Sequence, residues 1–258
     1  MAGLELEDAV RIIPRSQIDM RLMRDWLTDC LHNPGHIACN RDQASNLRLG
    51  EDTLLLVDVQ DRCIVRRAAQ TTDYVALSYV WGNIDQYLLT RAGLPDLLKP
   101  GALDGCSLSQ TIKDAMTFIT GLGERYLWVD TLCIIQDDSE RKQAAIKNMG
   151  YIYSQALCTL VAVWATDNTS GLPGVRAWTR KPGITAEILG DELTLSIPSD
   201  DPWIYQSRGW TYQEYLLSHH RFNFGGPRVE FVCQHAYKRE DRVHEQVLDQ
   251  SEDHWGEH

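Results

Sequence analysis

The chain has 258 residues, 43% of them hydrophobic and 24% charged, with a formal charge of -11 at pH 7. That length can bury a core of its own, whereas so acidic a chain has no broad positive field for a phosphate backbone, which excludes sequence-independent nucleic-acid binding. No apolar run reaches the roughly 20 residues a membrane-spanning helix needs, and "MAGLELEDAVRIIPRSQ" lacks the basic-then-apolar layout of a signal peptide, so a cytoplasmic chain with no membrane or nucleic-acid partner is expected.

Apolar positions at helical spacing over Ile18 to Leu31 predict an N-terminal helix, broken at Pro34 and Gly35. Its end carries Cys30, His32, His36 and Cys39 in "DCLHNPGHIACN". Four such ligands could close a tetrahedral zinc site. The spacing is not that of a standard finger and no second pair is evident, so packing cysteines beside a capped helix end are the alternative. Seven cysteines is an odd number without a disulfide rhythm, and Cys63, Cys133, Cys158 and Cys233 lie in apolar stretches, where they read as small buried hydrophobes. Next, "TLLLVDVQDRCIVRRA" predicts two strands joined by a turn near Gln60-Asp61-Arg62. Residues 1–70 are thus expected to form a helix-plus-hairpin appendage, 71–240 the main domain and 241–258 an acidic tail.

The main body opens on "YVALSYVWG", Tyr74 to Gly82, an apolar run expected of a strand buried on both faces. Then "LSQTIKDAMTFITGLG" predicts a helix capped by Ser109 and stopped at Gly121 or Gly123. "RYLWVDTLCII" predicts a second buried strand, Asp138 to Ser154 a longer helix with Ala144, Ala145, Met149, Ile152 and Tyr153 facing inward, and "ALCTLVAVWA" a third strand. Strand-helix alternation at these lengths implies an α/β fold with a parallel sheet and helices around it. Past Thr166 the sequence loosens into an irregular loop, and further hairpins are expected at "EILGDELTLSIPS" and around Gly225-Gly226.

Ligands of open parallel sheets settle at the carboxyl ends of strands. That directs attention to Ser78, Tyr79, Trp81 and Gly82 after the first strand, and to Asp130, Thr131 and Cys133 at the second. Loops after strands are also polar for solvation alone. No GxxxxGK[ST], no GxGxxG after a strand, no HExxH and no GxSxG occurs. In "SRGWTYQE", Trp210 and Glu214 stand four apart, sharing a face if the stretch is helical, with Arg208 beside them. An indole there can stack on a ring, and the carboxylate can stabilise a developing cation. A buried tryptophan beside a solvated glutamate is the plainer reading.

Three blocks resemble the fungal heterokaryon-incompatibility (HET) domain: "YVALSYVWG"; "RYLWVDTLCIIQDD" followed by "MGYIYSQA"; and "GLPGV" with "SRGWTYQEYLLSHHRFNF". Ser109, where the family generally has proline, and the His219-His220 link depart from its pattern. The resemblance implies a role in non-self recognition and programmed cell death. The family is remotely similar to Toll/interleukin-1 receptor (TIR) domains, flavodoxin-like parallel units of which some cleave NAD at the nicotinamide–ribose bond. In the plant-type motif S-x-W-C-x-x-E the glutamate is catalytic, and "SRGWTYQE" keeps the Trp-to-Glu interval with Gly209 inserted. On that analogy Glu214 is the catalytic carboxylate, Trp210 and Trp81 shape the pocket, and Ser78, Arg208 and amides near Gly82 meet ribose or phosphate. NAD would be the substrate, no cofactor or metal would be needed, and self-association would complete the site. The alternative is a non-catalytic module acting through homotypic contacts.

Overall fold

The computed structural model describes residues 11, 13–14, 16–39, 53–68, 71–82, 85–163, 169–180, 184–188, 191–195 and 217–248, with the side chains of 37, 38, 184–188 and 191–195 excepted. Helix α1 (Met20–His32) starts where the Asp19 carboxylate accepts the N–H groups of Arg21 and Leu22, and it buries Met23, Trp26, Leu27 and Cys30, one face at helical spacing. Strands β1 (Thr53–Asp58) and β2 (Cys63–Ala68) form the expected hairpin. Strand β3 (Val75–Ser78) is buried throughout. Short α2 (Leu94–Leu97) leads to α3 (Gln110–Leu122) and β4 (Tyr126–Trp128). Ser109 caps α3 as predicted, its hydroxyl accepting the Ile112 N–H, and Gly123 ends the helix at φ 93°.

The second block departs from the predicted strand. After Trp128 the chain turns into α4 (Asp130–Cys133), with the Asp130 carboxylate accepting the neighbouring Thr131 N–H and Leu132 buried in the core. The predicted long helix is two, α5 (Ser139–Lys147) and α6 (Met149–Gln155), parted at Asn148. Helix α5 buries no residue, and Ala144 is exposed. The inward face belongs to α6, whose Tyr151, Ile152 and Tyr153 are buried. Strands β5 (Cys158–Val161), β6 (Ile184–Ile188), β7 (Asp191–Leu195), β8 (His220–Phe224), β9 (Val229–Cys233), β10 (Ala236–Arg239) and β11 (Gln246–Val247) complete the described elements.

Among the described residues nine strands form one mixed sheet in the order β11-β10-β9-β8-β5-β3-β4-β1-β2, while β6 and β7 pair with each other. Its middle, β4-β3-β5-β8, is parallel. Both flanks are antiparallel: β1 pairs with β4, and β8 to β11 form a meander. The N-terminal hairpin therefore joins the main body through a shared sheet, and β11 lies within the stretch read as an acidic tail. This is an α/β fold, with the hairpins extending a parallel centre. Phe118 of α3 meets Phe222 and Phe224 edge-on at 5.4 and 5.1 Å, and Trp128 meets Tyr153 at 5.5 Å. Tyr74 donates its hydroxyl to the Ile152 carbonyl at 2.6 Å and Tyr153 donates to Leu77 at 3.2 Å, so α6 is pinned to β3.

Charges fix the irregular segments. Asp114 of α3 accepts the Leu172 N–H at 2.9 Å and the Arg176 Nε at 2.9 Å, which seats the "GLPGV" loop on the helix. Gly171 is required there, since its φ is +72° and a Cβ would fall 2.3 Å from the Asp114 carboxylate. Arg180 forks onto Glu240 at 2.5 and 2.9 Å, with both side chains nearly sealed at 6% and 1% exposure. Glu240 also accepts the Val229 N–H at 3.0 Å, and Arg180 donates to the carbonyls of Gln17 and Pro227. Removing one partner strands a buried charge. Glu240→Ala is expected to lower the unfolding free energy by about 3–5 kcal/mol in urea titration; a loss below about 1 kcal/mol would contradict the assignment.

Asp58 ties the N-terminal hairpin to β4. Its Oδ1 accepts the Gln60 and Asp61 N–H groups at 3.1 Å each, closing the β1–β2 turn, and its Oδ2 accepts Arg125 Nε at 2.9 Å. Burial opposes ionisation of this carboxyl, but Arg125 and the turn N–H groups outweigh it and hold Asp58 below the usual carboxylate range. A depressed folded value stabilises above the unfolded one and is lost as pH falls through the folded one. Asp58→Asn should destabilise at neutral pH and flatten the loss of stability between neutral and about pH 3; urea midpoints with equal acid sensitivity in both proteins would exclude this role.

Candidate functional site

The parallel pairing sets Ala76 opposite Trp128 and Ser78 opposite Val161. The chain leaving β3 and the start of α4 therefore emerge side by side at the carboxyl ends. In chain order the parallel strands run second, first, third, fourth across the sheet, so the direction of winding switches between β3 and β5. Of the residues expected there, Trp81 and Asp130 meet directly: the indole Nε1 donates to Asp130 Oδ2 at 2.8 Å. Tyr79 lies behind them, its hydroxyl 3.3 Å from Thr131 Oγ1 and donating to Gln86 Oε1 at 3.1 Å. Burial, and then the Asp130 charge, push the Tyr79 phenol well above its ordinary range, so it stays protonated. Gly82 follows at φ 67° and is exposed.

A strap holds α4 in place. The Leu89 N–H donates to the Thr131 carbonyl and the Gln136 N–H to the Leu89 carbonyl, both at 2.8 Å. Gln136 Nε2 reaches the Asp130 carbonyl at 2.9 Å, while its Oε1 is buried without a hydrogen-bond partner among the described residues. Ser78 is 1% exposed and Tyr79 5%, so neither presents its side chain at the surface; Trp81 and Asp130 stand at the rim, half-buried. Cys133 accepts the Val129 N–H at 3.4 Å, and burial pushes its thiol up to about 12, which suits packing and not nucleophilic attack.

A cavity of about 190 Å³ lies elsewhere, lined by residues including Trp128, Cys133, Ile134, Arg66, Arg141 and Asn148, between the β1–β2 hairpin and α5. None of Ser78, Tyr79, Trp81 and Asp130 lines it, and it is smaller than the roughly 300 Å³ at which pockets for ordinary ligands begin. Glu214, Trp210 and Arg208 lie outside the described residues. The described chain resumes at Leu217, close against Gly150 of α6, and Ser218 Oγ stands 2.7 Å from Thr159 Oγ1.

The cysteine–histidine cluster differs from the predicted set by one member. Cys30, His36 and Cys39 converge with Cys233, and all four are buried. His32 is not among them: its Nδ1 is 2.7 Å from the Thr28 carbonyl on an exposed part of α1. Cys233 reaches the cluster from the end of β9, where its sequence surroundings predict an inert hydrophobe.

The rim pair is directly testable. Trp81→Phe keeps an aromatic ring and removes the N–H, and should cost about 1 kcal/mol in urea unfolding, with Asp130→Asn milder than Asp130→Ala. Indistinguishable midpoints for all three variants would mean the hydrogen bond does not order the strand ends.

A family model described as Heterokaryon incompatibility protein (HET) matches residues 74–214. Neither a curated protein nor a solved structure matches the chain. Among the described residues no helix is long and apolar enough to cross a membrane. The matched span runs from Tyr74, at the threshold of β3, to Glu214, more than half of the 258 residues. The chain belongs to the heterokaryon-incompatibility (HET) family.

Proposed function

We propose that this chain is a fungal incompatibility and cell-death signalling domain acting as a TIR-like NAD glycohydrolase. The observation that carries the first half is the family match, which takes in β3, β4, β5 and the helices between them and ends on Glu214. For the second half, the support is positional. The parallel strands run 2-1-3-4, and ligands of open parallel sheets sit at the switch point, here between β3 and β5. Trp81 leaves β3 at the edge of that point, while its partner Asp130 follows β4 on the other side. In this reading Glu214 stabilises the cationic ribosyl transition state as the nicotinamide leaves. Trp210 and Trp81 wall the base, and Arg208, the Gly82 region and Asp130 meet ribose or phosphate. The buried Ser78 and Tyr79 would shape the floor beneath the ligand. Self-association would complete the site.

One observation favours the second reading, a non-catalytic interaction module. The Trp81 N–H is spent on Asp130 and the Tyr79 hydroxyl on Gln86, so these groups order the strand ends without any ligand. The readings separate on one experiment. The purified chain, alone and clustered through a fused oligomeric tag, is incubated with NAD while nicotinamide release is followed. The enzymatic reading expects turnover that clustering raises and that Glu214→Ala lowers by at least about 100-fold, as loss of a transition-state contact does. Turnover indifferent to Glu214→Ala removes that residue from the mechanism, and no turnover under clustering leaves the interaction module.

A further inference from the structure

The Cys30, His36, Cys39 and Cys233 cluster has no part in the reading above, and its geometry is that of a coordination sphere. The ligand atoms of all four residues lie within 4.8 Å of one another. The three sulfurs surround a single imidazole nitrogen: His36 Nδ1 is 3.0 Å from Cys30 Sγ, 3.6 Å from Cys233 Sγ and 3.9 Å from Cys39 Sγ. Tetrahedral angles with metal–sulfur bonds of about 2.3 Å and metal–nitrogen bonds of about 2.0–2.1 Å place sulfur and nitrogen about 3.6 Å apart. The observed separations bracket that value. Hydrogen bonding does not account for them, because one ring nitrogen carries either one proton or one lone pair.

The thiols are held as metal ligands are held. Cys233 Sγ accepts the backbone N–H groups of Ala236 at 3.1 Å and His235 at 3.4 Å, donors that favour a thiolate. The His-x-x-Cys step from His36 to Cys39 sits on a 3-10 turn, Pro34–Cys39, kinked at His36. Cys30 enters from the last turn of α1 and Cys233 from the end of β9. The three cysteines are free thiols, so no disulfide explains their approach.

We propose that Cys30, His36, Cys39 and Cys233 form a closed Cys3His site that takes one zinc ion and staples the N-terminal helix to the C-terminal hairpin. Sulfur and imidazole exclude calcium and magnesium, which take oxygen, and a tetrahedral sulfur-rich set selects zinc. With four protein ligands no position is left for water or substrate, so the site is structural. A second tie crosses the same junction: Lys238 Nζ of β10 donates to Asp29 Oδ2, next to Cys30, at 2.6 Å.

Metal analysis of the full chain, isolated without chelators, should give one zinc per chain. Cys39→Ser and Cys233→Ser should lose most of it, while Cys106→Ser, outside the cluster, keeps it. Because a ligand variant can fail to fold, the unaltered chain supplies the second arm. Exchange of its metal for cobalt(II) should give the intense thiolate-to-cobalt charge-transfer absorption and the visible bands of a tetrahedral ion. Absence of both zinc and those bands in the unaltered folded chain would overturn the site. So would a disulfide joining two of the three cysteines in the freshly isolated protein.

Discussion

Four residues of β3, each at most 1% exposed, set the position of the parallel centre of the sheet. A strand buried on both faces must be Val-, Ala- or Leu-like, must pair on both sides, and must be roofed by helices. Here β4 and β5 supply parallel partners, and Tyr74 and Leu77 bind the neighbouring α6 through hydroxyl–carbonyl bonds. Once that register is fixed, residues 78–82 and Asp130 have to emerge together. The proximity of Trp81 and Asp130, 49 residues apart, is a product of strand pairing and not of local sequence.

Around this centre the chain is irregular, and buried polar ties take over from hydrophobic patterning. Arg180 with Glu240, Asp114 with the 171–176 loop, and Asp58 with Arg125 each join segments more than 50 residues apart. Such pairs contribute less net stability than apolar packing of equal volume but penalise every alternative arrangement heavily. The cysteine–histidine cluster, with the Lys238–Asp29 pair beside it, is of the same kind and joins the two ends of the described chain.

Helix α1, the β1–β2 hairpin, the capped α3 and the β8–β9 hairpin could all be read from local signals: periodicity, a capping serine, a stopping glycine and turn residues. The second predicted strand could not. Leu127 to Ile135 is apolar but for Asp130 and Thr131, and nothing local reveals that a helical turn begins at Asp130 inside that run. The helix break at Asn148 was hidden for a similar reason, because helical residues lie on both sides of it. At the strand ends the residue types were legible but their exposure was not: Ser78 and Tyr79 are polar by composition and buried by topology. Cys233 could not be read as a ligand because its partners lie almost 200 residues upstream.

Induced production of the chain in a fungal host, with cellular NAD and viability followed together, tests the functional account most directly. The account predicts that NAD falls before viability does, and that Glu214→Ala accumulates to the same level while sparing both. Unimpaired growth with steady NAD, in cells that accumulate the folded and clustered chain, would contradict it.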